Sequence, residues 1–402
     1  MKKNLLILGA SGGVATAFLY YFLQHRGLID KLILIDKSDK ILSQKHIDHK
    51  KLAYTFFQKE IKIPKEKEYY KNIIQKYAID IVLDLTDMDT IPIFEYTNAL
   101  AVSYMNSAIN EDTIDERTIA DLVYDIYPRK AKLNNAAHIL CAGMNPGIVN
   151  LWVRYGIEQY GLPREVIHFE YDTSMTKDKW RSMITWSIHE FLFEAFLDFS
   201  GKVLGRGKVE VLRPNGLAHK VNMQPILEPI MKLKRYPYGF QILHEENLSI
   251  GEYYNIPSQF IYAIHPKTMK HLVSLFHTKK DISADDIILG ENITYPLKGS
   301  DSIGVLLKYN DKDVYYFNSI DNKDVKNISA TYLQVVTGVY SALLTLLNDD
   351  LKNGTYFTEE LYETSFPETV FSNLITQEYI FHKNKIIKTN YNVRLQNQLL
   401  TR

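Results

Sequence analysis

Residues 3–15, Lys3-Asn4-Leu5-Leu6-Ile7-Leu8-Gly9-Ala10-Ser11-Gly12-Gly13-Val14-Ala15, decide how the chain begins to fold. A short apolar run ends in glycines, and an apolar stretch compatible with a helix continues through Leu23. Strand, tight turn and helix in that order aim backbone N–H groups at an anion, as dinucleotide pyrophosphate sites do. Gly9 permits the turn, Gly12 lets backbone approach a phosphate, and small Ala15 allows the helix to lie close on its strand. Ser11, Gly13 and Val14 complete the candidate cofactor loop. A second apolar run, Leu32-Ile33-Leu34-Ile35, ends in Asp36. An acid at the tip of the second strand, about 20–30 residues past the first glycine, suits a ribose 2′-hydroxyl and repels a 2′-phosphate. NAD is therefore the expected cofactor. The spacing is Gly-x-x-Gly-x-x-Ala rather than Gly-x-Gly-x-x-Gly, so strand, helix and acid carry the inference together. A glycine turn that merely joins two elements is the alternative.

Working outward, strands are expected at Tyr54–Phe57, Ile79–Leu85, Ala101–Asn106 and Ala137–Ala142, with a helix reaching Tyr77. Apolar runs alternating with helical segments predict a parallel sheet wound with helices on both faces. Ligands on such sheets sit beyond the carboxyl ends of the strands, which places Thr86, Asn106 and Asn145 near the cofactor. After Pro146-Gly147 the pattern changes. Val166–Tyr171 and Ser258–Ile264 alternate like strands of a mixed sheet, Trp186–Phe199 is helical in pattern, and Thr331–Leu347 is a long apolar helix. The expected fold class is α/β: a Rossmann-type parallel sheet with an inserted α+β mixed-sheet substrate domain and a C-terminal helical return. The expected domains are a nucleotide-binding domain over 1–145, a substrate domain over 146–325 and a helical return over 326–402. The tail from Lys383 is polar and basic, and reads as a surface helix or a frayed end.

The 402 residues suffice for two domains, since one core seldom grows past about 250–300 residues. Lysine plus arginine and aspartate plus glutamate each number 47, so no global field favours nucleic acid or an anionic membrane. No apolar stretch is expected to span a bilayer, which takes about 20 residues. The single cysteine, Cys141, excludes an intramolecular disulfide framework and a cysteine-rich metal site. In its apolar setting it reads as a buried, inert thiol. A cytoplasmic protein without a metal is expected.

Several clusters carry polar chemistry. Asn145-Pro146-Gly147 ends a strand and begins a helix, so Asn145 is either a cap or an amide facing a ligand. Glu170 and Asp172 alternate on a strand and share a face. On a helix, Trp186, Glu190 and Glu194 would form one stripe, and an indole beside carboxylates suits an organic cation. Spacing alone favours a core tryptophan beside surface acids. His244 and His265 lack zinc-ligand spacing, and Asp301 sits in a glycine-flanked loop that leads into a strand.

Taken in order, these clusters resemble bacterial homospermidine synthase, within the saccharopine-dehydrogenase-like group. The resemblance rests on Asn145-Pro146-Gly147, Glu170-x-Asp172-Thr173, Thr185-Trp186-Ser187, His244 ahead of Ser249-Ile250, and Tyr262-Ala263-Ile264-His265-Pro266. It continues through Gly299-x-Asp301-x-x-Gly304-Val305-Leu306-Leu307 and Leu333-Gln334-Val335-Val336-Thr337-Gly338-Val339, and covers roughly residues 1–355. It implies a homodimer that retains NAD as a prosthetic group. Putrescine is oxidised there to an imine, ammonia leaves, a second amine condenses, and the new imine is reduced by the same hydride. By motif, Trp186 would steer cationic species, Glu170, Glu194 and Asp301 would bind ammonium groups or move protons, and Asn145 and His244 would orient the reacting amine.

The chain departs from that pattern at Asn110, where family members carry an amine-binding glutamate, with Glu111 next door. The last fifty or so residues do not match clearly. Two other readings remain open. One is an NAD(P)H-dependent reductive condensation of an amine with a carbonyl compound, of the carboxynorspermidine, saccharopine or opine type. Its carboxylate-bearing substrates would need an arginine clamp, for which Arg181 and Arg213 are candidates. The other is an NAD-bound polyamine sensor without turnover.

Overall fold

The structure is a computed structural model. It describes residues 2–393 apart from 24–26, 112–117, 178–179, 188–190, 193–194, 197–198, 279–285, 288–295 and 384. The first half builds strands β1 (Lys3–Leu8), β2 (Ile29–Asp36), β3 (Thr55–Gln58), β4 (Ile81–Asp84), β5 (Ser103–Asn106) and β6 (Ala137–Leu140). Between them run helices α1 (Gly13–Tyr21), α2 (His49–Leu52), α3 (Lys67–Tyr77), α4 (Thr90–Ala99) and α5 (Ile119–Lys130). All strand pairs are parallel, in the order β3-β2-β1-β4-β5-β6. Strand order reverses between β1 and β4, so a crevice opens past their carboxyl ends. The expected parallel, doubly wound sheet is the one that forms.

Helix α6 (Ile148–Tyr160) leads into the second sheet. Its strands are β7 (Glu165–Asp172), β9 (Ser200–Gly205), β10 (Lys208–Leu212), β11 (Lys220–Asn222), β12 (Tyr238–Ile242), β13 (Ser258–Ile264), β15 (Ser300–Lys308) and β16 (Asp313–Asp321). A separate short pair joins β8 (Met175–Thr176) to β14 (Leu297–Lys298). Helices α7 (Gln224–Leu227), α8 (Glu245–Tyr254) and α9 (Pro266–Thr278) connect them. The sheet is mixed: β13 runs parallel to β7, and β15 antiparallel to it.

Pleating divides the central strands chemically. Ile167, Phe169 and Tyr171 of β7 join Tyr315 and Phe317 in an apolar cluster covered by Met223 and Leu227. Their neighbours His168, Glu170 and Asp172 fall on the opposite face. On that face Val166, Ile303, Val305 and Leu307 share a core with Leu5 and Ile7 of the first sheet, so one apolar core spans both.

The segment after 326 begins as a helical return on the first domain and then adds strands to both sheets. Helix α10 (Ala330–Asn348) does pack on α1, with Phe22 and Tyr340 stacked at 4.3 Å. Then β17 (Gly354–Phe357) adds to the first sheet beside β6, helix α11 (Phe366–Asn373) follows, and β18 (Gln377–His382) and β19 (Lys385–Asn390) extend the second sheet beside β16. Lys385–Asn390 is thus an edge strand and not a surface helix. Helix α10 is also long and apolar enough to cross a membrane (mean hydropathy 1.4 over its window), contrary to the expectation from sequence. Its window is 67% buried inside the protein, which accounts for its composition as core packing.

Candidate active site

One cleft of about 640 Å³ runs from the glycine loop after β1 to the second sheet, within the size range of small-molecule and cofactor sites. At its first end, Gly9 has φ +73°, and a Cβ there would stand 2.5 Å from the Leu85 carbonyl oxygen. Glycine is therefore required where the turn crosses the tip of β4. No side chain caps α1, whose start faces the cleft through Gly12 and Gly13. A Cβ on Gly13 would fall 2.3 Å from the Tyr332 hydroxyl. Gly13 thus makes room for α10 rather than for a phosphate.

Asp36 closes this end. One of its carboxylate oxygens accepts from Ser11 N at 2.8 Å and the other from Ser38 N at 2.7 Å. The Ser11 hydroxyl donates to the Ser38 carbonyl at 2.7 Å. The acid therefore braces both loops and keeps a lone pair on each oxygen for a further donor. Thr86 lines the cleft, its hydroxyl donating to Asp84 at 2.7 Å and its carbonyl accepting from the Asn110 amide at 2.7 Å. Asn106 does not line the cleft. Its amide accepts from Cys141 N at 2.9 Å and donates to the Ala108 carbonyl, tying β5 to the end of β6. Cys141 is itself buried, and burial holds its thiol well above the usual range.

The other end is walled by Asn145, Glu170, Trp186, His244, Tyr262 and Thr331, among others. Asn145 sits in the loop between β6 and α6, against which α10 presses: a Cβ on Gly338 would lie 2.0 Å from the Gly143 carbonyl oxygen. The Asn145 amide donates to Glu170 at 2.5 Å. The other Glu170 oxygen, Oε1, is buried without a hydrogen-bond partner among the described residues. Burial and the nearby Asp301 push the Glu170 carboxyl well above its ordinary value, against the Asn145 bond and His244. The half-buried Trp186 lies in a bend, not on a helix, and its indole N–H donates to the Tyr262 hydroxyl at 3.0 Å. The helical stripe expected to join it to Glu194 therefore does not begin at Trp186. Glu190 and Glu194 lie outside the described residues.

His244 precedes α8 and is held by its N–H donating to the Asn247 side chain at 2.9 Å. Its Nδ1 bonds the Glu246 carboxylate and lies 3.0 Å from Glu245. Glu245 also accepts from Ile109 N at 2.8 Å, which ties the second domain to the loop after β5. His244, Glu245 and Glu246 bring ligand-type atoms within 4.8 Å of one another, but these are already engaged as a hydrogen-bonded set. Burial would raise the Glu246 carboxyl, yet the histidine overrides it and the acid sits below its ordinary value. Asp301 does not line the cleft; Thr331, which does, bonds its carboxyl.

Sequence reasoning omitted Tyr262, Thr331, Tyr332, Glu245 and Glu246 as site residues. Glu245 and Glu246 had a local signal, two acids directly after a histidine at a helix start. The others had none, since an apolar strand and an apolar helix conceal which side chains meet a cleft.

Behind this end lies Glu359, buried and accepting from the Asn150 amide at 3.0 Å. Burial and Glu360 raise it from 4.5 to about 7. Between those values the folded chain keeps a proton that the unfolded chain has lost, so stability falls as pH rises through the window. The full loss is about 3 kcal/mol above about pH 7. Glu359→Gln should therefore raise the Tm at about pH 8 and leave it unchanged near pH 4. Equal shifts at both pH values in a thermal-melt series would contradict the assignment.

No family model matches the chain, and neither does any curated protein. Among solved structures it is similar to myo-inositol 2-dehydrogenase from Lactobacillus plantarum (8% identity, 92% of this chain and 96% of that one, TM-score 0.45). It is also similar to scyllo-inositol dehydrogenase from Lactobacillus casei (9% identity, 92% and 94%, TM-score 0.40). A third is the WlbA dehydrogenase from Thermus thermophilus in complex with NAD and alpha-ketoglutarate (10% identity, 75% and 81%, TM-score 0.34). Likeness at this level carries no activity or ligand over to this chain.

Proposed function

We propose that this chain is an NAD-dependent oxidoreductase acting on amines, a homospermidine-synthase-like aminobutyl transferase. The observation that carries the reading is the make-up of the cleft. Its glycine end has the loop, helix start and acid of a dinucleotide site, and it continues into a chamber of carboxylates and aromatic rings. Among the described residues, no lysine or arginine lines that chamber; Lys37, Lys40 and Lys59 line the Asp36 end. Such a chamber suits a dication such as putrescine.

NAD held along the glycine loop would supply a hydride acceptor and, later, the hydride donor. Glu170, anchored by Asn145, takes the proton of the reacting ammonium, without which the amine cannot release hydride. The Trp186 face, its indole held by Tyr262, lies against the resulting iminium. The Glu245 carboxylate holds the distal ammonium, and His244 is fixed beside it by Glu246. A second amine adds to the imine carbon, ammonia leaves, and reduction of the new imine returns the hydride, so no net redox change occurs. Asn110, spent on the Thr86 carbonyl, brings no charge to the chamber.

The reductive-condensation reading needs a cationic clamp for a carboxylate. Arg181 and Arg213 are both exposed and neither lines the cleft; Arg213 lies over the Phe199 ring at 3.9 Å. Incubating the protein with putrescine and catalytic NAD should give homospermidine and ammonia by mass spectrometry, with no accumulation of NADH. Consumption of NAD(P)H only after a keto acid is added would move the protein to the condensation class.

Asp36→Ala is expected to cut the preference for NAD over NADP about tenfold, by removing one charge-assisted bond to a ribose hydroxyl. Fluorescence titration of both cofactors measures it, and an unchanged ratio would remove the ribose role.

A further inference from the structure

The two acids that the chamber does not expose are linked to it by hydroxyls. Asp172 of β7 and Asp301 of β15 stand directly opposite each other in the antiparallel register. The Thr185 hydroxyl oxygen lies 2.7 Å from an Asp172 carboxyl oxygen, the Thr331 hydroxyl oxygen lies 2.6 Å from an Asp301 carboxyl oxygen, and the two threonine oxygens are 3.0 Å apart. All four side chains are buried, and only Thr331 lines the cleft.

Counting hydrogens shows what this chain contains. Three oxygen–oxygen contacts in a row need three hydrogens, and two hydroxyls bring two. The third must come from a carboxyl. Asp172 has a further donor, Ser174 N at 2.7 Å, and so is the better place for the negative charge. Asp301 Oδ1 is buried with no hydrogen-bond partner among the described residues, which an ionised carboxylate does not tolerate cheaply. The resting chain is thus Asp301 (acid) to Thr331 to Thr185 to Asp172 (carboxylate), each donating to the next.

We propose that Asp301, Thr331, Thr185 and Asp172 form a proton relay that accepts at Thr331 the proton of the second, condensing ammonium, as Glu170 takes that of the first, and stores it behind the cleft. This rests on the amine reading above. The ammonium N–H bond breaks as a bond to the Thr331 oxygen forms. Thr331 passes its own hydrogen to Thr185, and Thr185 passes its hydrogen to Asp172. The amine becomes neutral and the acid pair goes from one proton to two. Reversal returns the proton when the new imine is reduced, so the store balances over a redox-neutral cycle. The other titratable groups facing the pair are Glu170 on β7 and Tyr262 on β13, and His244 before α8 faces Glu170. Gln334 of α10 donates to the Asn318 side chain on the neighbouring β16 at 2.8 Å and to the Asp301 backbone carbonyl at 3.4 Å. Thr331 is here the group that touches substrate; Thr185, Asp172 and Asp301 are positioning residues that act through it.

Two measurements test this. Infrared difference spectra of the protein at neutral pH, wild type minus Asp301→Asn, should show one neutral carboxyl band that moves in D2O and shifts in Thr331→Val. Absence of that band overturns the relay whether or not diamines are substrates. With a substrate amine in hand, Thr331→Val should lower kcat about 100-fold with KM nearly unchanged, and Thr331→Ser should recover most of it. An unchanged kcat in Thr331→Val, or no recovery in Thr331→Ser, overturns it as well. If the wild type turns over no diamine, the amine reading fails by itself, and the infrared band still decides the relay.

Discussion

Replacing Glu170 with glutamine is expected to lower kcat for amine turnover by roughly 100- to 10,000-fold, the usual contribution of a general acid–base group. Glutamine keeps the shape and can still accept the Asn145 amide bond, so the geometry of the chamber survives. What is lost is the only carboxyl lining the cleft whose second oxygen is buried and free of protein partners among the described residues. Burial and the neighbouring Asp301 hold that carboxyl well above its ordinary range, which makes its ionised form a stronger base than an exposed carboxylate. The same burial makes its ionised form a burden on the fold, so Glu170→Gln should melt at an equal or higher temperature while NAD binding is unchanged. Turnover within tenfold of wild type, with stability and NAD affinity intact, would remove Glu170 from the chemistry.

Trp186→Ala is the second large effect. A desolvated cation against an indole face gains about 2 kcal/mol, so kcat/KM for a diamine should fall at least about 30-fold. The Tyr262 hydroxyl also loses its donor, which lets the remaining wall relax. Trp186→Phe keeps a π face and should fall less. NAD affinity, measured by titration, should stay within a few-fold in both variants. If alanine and phenylalanine reduce turnover equally, the indole serves packing and not the cation.

The nucleotide half was legible because its signals are local. A run of apolar residues, a glycine turn and an acid at the end of the second strand each mark their own position, and β1, α1 and Asp36 lie where those signals place them. The second half was read less well for the opposite reason. The pairing of Asp172 with Asp301 is a matter of register between strands distant in sequence, which no local spacing records. Trp186 sits in an apolar stretch with helical periodicity, yet the bond from its indole to Tyr262 and its packing against Phe191 go with a bend. Asn106 shows a different limit. An amide at a strand tip serves equally to hold a ligand or to tie the next strand, and the sequence is the same in both cases. Thr331 and Tyr332 begin a helix that reads as pure core, and only the packing of α10 on the glycine loop turns its first turn toward the cleft.

In the proposed reaction, hydride leaves an amine carbon and comes back within one cycle. Putrescine fully deuterated at both amine-bearing carbons, turned over in the presence of unlabelled NADH, tests this by mass spectrometry of the product. Homospermidine that retains every deuterium is the expected result. Product that has lost one deuterium per bond formed, or NADH that accumulates without homospermidine, would contradict it.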